Sequence, residues 1–373
     1  METSDVVIVG GGAVGCATAY FLAKDGVKVT VLEKDTVAGA ASGYAMGLLS
    51  PLSGAGIPGP LEELSLVGFL MHRDLVGELK EATGLEYHAH PKDSIYLAFS
   101  DEEAEALGAI EDYSSKVDGV SCRWLNGAEI RTFEPRVSEA VPRGLLVEGT
   151  WLLEADEYTR ALAKGAEGYG AIFRENEVTG LKRSGGNLRV QTEGGVIEAE
   201  KVVLAMGPWT GAVQEWFDLP VPVSPLKGQI LRMEIPGPPM RCSLHYNSNY
   251  AGSKPDGLVW IGTTEERVGF DDQPTEEAKV KIIKEVAIFF PPVTEGRLVR
   301  QTACLRPVSS DGLPIIGQVP GWDGVYLSTG AGRKGIILSP SMGKVTADLV
   351  AKGQSEISVD IFSPGRFMPI AGR

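Results

Sequence analysis

The spacing Gly10-x-Gly12-x-x-Gly15 constrains this chain more than any other feature, because of what flanks it. Residues 5–9 are an apolar run of the kind that forms a buried strand, residues 15–24 a small-residue stretch that suits a packed helix, and residues 28–32 a second strand. Glycines in a tight turn between strand and helix are the context in which this spacing signals a dinucleotide. Gly10 permits the turn, Gly12 lets the backbone approach a pyrophosphate, and Gly15 lets the helix pack closely. Glu33 ends the second strand, where a carboxylate accepts from both ribose hydroxyls of an adenosine. Taken alone, this unit does not choose between a nicotinamide and a flavin dinucleotide.

The 373 residues, 43% hydrophobic and 23% charged, suffice for two domains with a core each. A net charge of -14 argues against a nucleic-acid partner, whose binding rests on clustered Lys and Arg. Cys16, Cys122, Cys242 and Cys304 form no CxxC pair, which fits a reducing, cytoplasmic setting. The four histidines, His72, His88, His90 and His245, show no metal-ligand spacing, so the expectation is no metal and no catalytic histidine. Residues 6–23 lack charge and approach the roughly 18 apolar residues that span a membrane. The glycines within them, and Glu2 and Asp5 before them, favour a soluble, untargeted chain with no membrane span.

Along the rest of the chain, residues 39–60 read as a long loop, 61–82 and 154–168 as helices, and 186–192 and 196–205 as strands ending at Gly207-Pro208. Val280, Ile283, Val286, Ala287 and Phe290 recur at helical spacing and predict a core-facing helix. Residues 324–329 suggest a strand, 330–335 a Gly-rich loop and 341–352 a helix. The fold class is therefore α/β. A Rossmann-like dinucleotide domain, discontinuous in sequence (1–85, 150–220 and 300–373), is joined to an α+β substrate domain with a mostly antiparallel sheet (86–149 and 221–299).

Ala41-Ser42-Gly43 followed by Gly47-Leu48-Leu49-Ser50-Pro51 resembles the segment that follows the adenosine site in the D-amino-acid oxidase superfamily of FAD-dependent oxidoreductases. The likeness is closest to the glycine oxidase, sarcosine oxidase and D-amino-acid dehydrogenase branch. Further matches are Lys227-Gly228-Gln229, the stretch from Pro255-Asp256-Gly257 to Gly262-Thr263-Thr264-Glu265-Glu266, Leu305-Arg306-Pro307 with Asp311–Gly317 behind it, and Thr329-Gly330-Ala331-Gly332-Arg333-Lys334-Gly335-Ile336. The resemblance implies an FAD-binding domain with contacts at Gly10, Gly12, Ala13, Val14, Gly15, Glu33, Lys34, Ala41, Ser42, Met46, Gly47, Leu48, Val178 and Gly207. It also implies a flavin-cradling loop of Gly330, Ala331, Gly332, Arg333, Lys334, Gly335, Ile336 and Ile337, with the helix near Ser341 turning its positive end to the flavin. Ala331 and Lys334 depart from a histidine and an asparagine common in glycine oxidases, which leaves substrate identity and oxygen reactivity open.

By the same resemblance, Arg306 and Arg333 hold a substrate carboxylate in a bidentate fork and Tyr250 lies over the substrate, with Tyr246 the alternative four residues earlier. The implied reaction is oxidation of a small amine or amino acid by hydride transfer to flavin, without a dedicated general base, giving an imine that hydrolyses. Oxygen, a quinone or a partner protein reoxidises the flavin. Cys304 sits where monomeric sarcosine oxidases link covalently to flavin, although a small buried hydrophobe is its ordinary role and non-covalent FAD the expectation. Three alternatives stay open: a 2-hydroxy-acid oxidoreductase of the same fold, a flavin-binding subunit of a multi-subunit dehydrogenase, and a nicotinamide-dependent dehydrogenase. A homo-oligomer is compatible with all of them.

Overall fold

In the computed structural model, which describes residues 2–368 apart from 53–56, 58 and 218, the first strand is Glu2–Val9. Val6, Val7, Ile8 and Val9 are all buried, as a strand covered on both faces requires. It runs parallel to Val29–Glu33 on one side and to Gly195–Leu204 on the other. The helix Ala13–Lys24 makes the crossover, and its small residues Cys16, Ala17 and Ala19 are fully buried, with Ala17 against Gly343 of a later helix. The uncharged stretch 6–23 is thus strand, turn and helix. No helix among the described residues is long and apolar enough to cross a membrane.

Around this unit the first sheet collects distant segments. Ile172–Glu175 extends it in parallel beyond Val29–Glu33, and Val325–Thr329 pairs in parallel with Gly195–Leu204. Asn187–Thr192 and Val178–Ser184 add antiparallel strands, and Ile315–Gln318 folds back on Val325–Thr329. Among the described residues the second sheet has eight strands, in the order 297–309, 223–234, 259–262, 249–253, 243–246, 94–98, 143–148, 121–126. Its pairs are antiparallel except Ser243–Tyr246 with Ser94–Ala98. The fold is the expected α/β arrangement with a second, mostly antiparallel sheet. Arg297–Ser309 pairs along its length with Val223–Glu234, so the expected boundary at 299/300 runs through a single strand.

Two local readings change, and a third departs at one position. The last long helix begins at Gly335, not near Ser341, and contains Pro340. Proline inside a helix leaves the carbonyl four residues earlier without its N–H. Here that carbonyl, of Ile336, accepts instead from His72 Nε2 at 2.8 Å and from the Ser339 hydroxyl at 2.7 Å. The helix Glu276–Ala287 faces the core as expected: Val286 is buried together with Ala278 and Ile282, Ile283 and Ala287 pack against the same core, and Phe290 is buried just beyond the helix, while Val280, at 55% exposed, turns outward. The loop expected over 39–60 holds a short helix, Ala41–Tyr44, and a strand, Leu48–Leu49, paired with Trp151–Leu153. Residues 53–56 and 58 of that loop lie outside the described residues.

Candidate active site

A cleft of about 1060 Å³ runs from the glycine turn to the face of the second sheet. At the turn, Gly10 has φ 111°, and a Cβ there would lie 2.3 Å from the Ala205 carbonyl oxygen. A Cβ on Gly15 would lie 2.0 Å from the carbonyl oxygen of Gly10, so the helix seats against the turn only as glycine. Gly15 does not line the cleft, while Gly10, Gly12, Ala13 and Val14 do. Glu33 Oε2 accepts from the Gly11 N–H at 2.6 Å and Oε1 from the Asp35 N–H at 3.1 Å, which fixes the carboxylate at the cleft wall. Ser42 Oγ accepts from the Ala13 N–H at 2.9 Å. The Lys34 ammonium stands 3.8 Å above the Trp209 ring.

Two long helices point their N-termini into the cleft, Ala13–Lys24 and Gly335–Lys352, and neither carries an acid in its first turn. The other long helices, Glu62–Thr83, Asp101–Ser114, Ala155–Gly168 and Glu276–Ala287, each carry at least two acids there. An acid in the first turn neutralises the helix dipole, so the two cleft helices keep a positive end available to an anionic group.

Ala41, Ser42, Met46, Gly47, Leu48, Val178 and Gly207 line the cleft between its ends, with Gly330 to Ile337 opposite. Lys254 anchors this wall. Its buried ammonium donates to the carbonyls of Met46 at 2.9 Å and Leu153 at 2.7 Å, and pairs with Glu154 Oε1 at 2.8 Å. Burial lowers the Lys254 pKa and raises that of Glu154, and the pair opposes both shifts.

At the far end, Arg306 projects from Arg297–Ser309 across Gly228 on the neighbouring strand. A Cβ on Gly228 would lie 2.0 Å from Nη2 and 2.1 Å from Cζ, so the guanidinium occupies the space a side chain would take. Arg306 donates to the Thr264 carbonyl at 3.1 Å and the Thr263 hydroxyl at 2.8 Å. Both threonines are fixed by buried Gln229, whose N–H donates to Thr264 Oγ1 at 3.0 Å and whose carbonyl accepts from Thr263 at 3.0 Å. The segment Lys227-Gly228-Gln229 therefore seats Arg306 and holds the residues that orient it. Arg333, placed beside this strand by the bridge between Val308 and Ala331, pairs instead with Glu265 at 3.1 Å and donates to the Ser248 carbonyl at 3.3 Å.

Strand register builds an aromatic wall beside Arg306. His245 lies opposite both Tyr96 and Tyr250, and Tyr250 opposite Gly262. Tyr96 and His245 stack with centroids 4.9 Å apart. Burial pulls the His245 pKa down to about 3 and pushes the Tyr250 phenol far up, so at neutral pH the imidazole is neutral and the hydroxyl protonated. His245 Nε2 and Tyr250 Oη are buried polar atoms without a hydrogen-bond partner among the described residues, and both residues line the cleft. Tyr246 points elsewhere and donates to Glu103 at 3.0 Å. Burial and the neighbouring Arg333 bring Lys334 down to about 8. Cys304 lines the cleft, and burial raises its thiol pKa.

The structure thus brings Arg306, Arg333 and Tyr250 to one end of the cleft and the remaining expected residues, Gly15 excepted, along it. Sequence reasoning missed His245, Tyr96, Glu265, Lys254 and the seat at Gly228. Only Gly228 and Glu265 carried a signal, since both fall inside quoted motifs.

The sequence model of the family described as FAD dependent oxidoreductase (DAO) matches residues 5–349. A glycine oxidase of Geobacillus kaustophilus is 30% identical over 371 residues, covering 99% of this chain and 98% of the relative. One of Bacillus licheniformis is 29% identical over 350 residues, covering 93% of this chain and 92% of the relative. The crystal structure of the glycine oxidase from Geobacillus kaustophilus superposes with a TM-score of 0.93, covering 99% of this chain and 100% of that one.

Proposed function

This chain belongs to the DAO family of FAD-dependent oxidoreductases, and we propose that it oxidises a small amine or amino acid bearing a carboxylate, of the glycine, sarcosine or D-amino-acid type. The observation that carries the reading is Arg306. It lines the cleft, its hydrogen bonds go to neutral threonine oxygens, and among the described residues no carboxylate pairs with it, so its charge is kept for a ligand. A guanidinium so held presents a fork that matches a carboxylate.

The residues fit FAD. Gly10, Gly12, Ala13 and Val14 would hold the pyrophosphate on the first helix N-terminus, and Glu33 with Lys34 the adenosine. Ala41, Ser42, Met46, Gly47, Leu48, Val178 and Gly207 would line its length. Gly330 to Ile337 would cradle the ring, with the positive end of Gly335–Lys352 toward it. Cys304 is buried and burial raises its thiol pKa, which disfavours the thiolate and supports non-covalent FAD. FAD, when bound, supplies the two-electron acceptor.

The protein's part is placement. Arg306 anchors the substrate carboxylate, and Arg333 stands at the same end of the cleft. Tyr250, protonated and without a partner among the described residues, donates to the substrate. The wall of Tyr96, His245 and Tyr250 excludes water from the reacting carbon, and the imine released from the site hydrolyses. The oxidases among the relatives support oxygen as the electron acceptor.

Oxygen uptake by the holoenzyme with glycine, sarcosine, D-amino acids, L-proline and 2-hydroxy acids tests this reading. Uptake with an amine, accompanied by ammonia or methylamine, supports it. Uptake with hydroxy acids alone replaces it with the hydroxy-acid oxidoreductase.

A further inference from the structure

The two guanidiniums at the substrate end are not equivalent. Arg306 donates to neutral oxygens, the Thr263 hydroxyl and the Thr264 carbonyl. Arg333 meets a carboxylate of the protein itself, Glu265 Oε1, 3.1 Å from Nη1. Glu265 is the next residue after the two threonines that hold Arg306, so one short segment addresses both arginines in opposite ways. It leaves the charge of Arg306 for a ligand and offsets that of Arg333.

Glu265 lines the cleft with Arg306, Arg333, Tyr250 and His245. Among the described residues that line this end the other charged group is Lys334, near its own titration point at about 8, and behind the threonines the Glu266 carboxylate accepts from Thr264 Oγ1 and from Gln229 Nε2. Glu265 therefore subtracts one unit from a lining whose other ionisable groups at this end, Arg306, Arg333, Lys334, His245 and Tyr250, are cationic or neutral. A ligand carboxylate that approaches Arg333 has to displace Glu265 first, and while Glu265 stays in place a second negative charge on the ligand meets a like charge instead of a guanidinium.

We propose that Glu265 is a specificity-determining residue: by occupying Arg333 it restricts the site to ligands with a single carboxylate anchored on Arg306, and it excludes dicarboxylates. This inference rests on the reading that Arg306 anchors a carboxylate. Side-chain exposures of 40% for Arg333 and 43% for Glu265 place the pair at the mouth of the cleft, where solvent reaches it. The pair is accordingly weak enough for one uncharged replacement to alter which ligands enter.

The test is calorimetric titration of the holoenzyme and its E265Q and R306A variants with acetate and with malonate, a mono- and a dicarboxylate that undergo no oxidation. E265Q keeps the shape of the side chain and removes its charge. The expected result is a malonate-to-acetate affinity ratio about fivefold higher in E265Q than in the parent, the size set by an ion pair at a partly exposed site. R306A weakens acetate binding in the parent background. A ratio within about twofold of the parent in E265Q, with R306A still weakening acetate, overturns the role of Glu265 and leaves the anchor standing. Acetate binding unchanged in R306A overturns the anchor and this inference with it. Retained FAD absorbance in each variant separates either result from misfolding.

Discussion

Replacing Gly228 with alanine moves the substrate anchor without touching it chemically. The new methyl would sit 2.0, 2.1 and 2.4 Å from Nη2, Cζ and Nη1 of Arg306. Non-bonded carbon and nitrogen need roughly 3.5 Å, so the guanidinium has to retreat by about 1.5 Å. Hydrogen bonds of 2.8 and 3.1 Å to Thr263 and Thr264 do not survive a displacement of that size. A bond from a charged group contributes about 1.5–3 kcal/mol, and the misplaced fork forfeits about that much with a ligand carboxylate. Carboxylate affinity falls about tenfold to a hundredfold. The fold tolerates the change, because the obstruction is the end of a flexible side chain and alanine is about 0.5–1 kcal/mol better than glycine within a strand. The assay is acetate titration of G228A beside R306A and the double variant, with FAD content and thermal unfolding as controls. Weakened acetate binding in each single variant, with no further loss in the double, is the expected pattern. Acetate affinity unchanged in G228A would refute the seating argument.

The Lys254 anchor and the His72 cap give two further expectations. K254M leaves Glu154 without its partner and the Met46 and Leu153 carbonyls without a donor. It should lower unfolding stability by about 3 kcal/mol and weaken FAD binding, and K254M/E154Q should recover part of both. His72 is buried, and that burial lowers its pKa from 6.5 to about 4. Between those values the unfolded chain holds a proton the folded chain lacks, so the stability contribution is complete above pH 6.5 and is lost as pH falls toward 4. The loss is about 3 kcal/mol. H72Q, able to donate to the same Ile336 carbonyl, should lose less stability than the parent between pH 7 and 4.5 in denaturant titrations.

What could be read from the sequence follows from which constraints are local. The turn at Gly10 to Gly15 is a demand of backbone geometry on consecutive residues, so its spacing shows it directly. The start of the last helix did not, because the carbonyl that Pro340 leaves free is met in part by His72, 264 residues away in the chain. His245 offered no motif, and only the register of three strands sets it between Tyr96 and Tyr250. Val280 and Val286 belong to one apolar period, yet Val280 faces solvent because the line that reaches the core runs through Ala278, Ile282 and Val286. Arg306 and Arg333 were both expected from motif context, while their different partners depend on how Thr263, Thr264 and Glu265 pass between them.

On the proposed function, an amine anchored through its carboxylate on Arg306 gives up two electrons in this cleft. Anaerobic titration of the holoenzyme with glycine, sarcosine and D-alanine, followed at the flavin absorbance band, tests it most directly. Bleaching by at least one of them is expected, with colour returning on admission of air, and a requirement for about tenfold or more substrate in R306A. Bleaching by dithionite and by none of the amines, or bleaching equally easy in R306A, would contradict it.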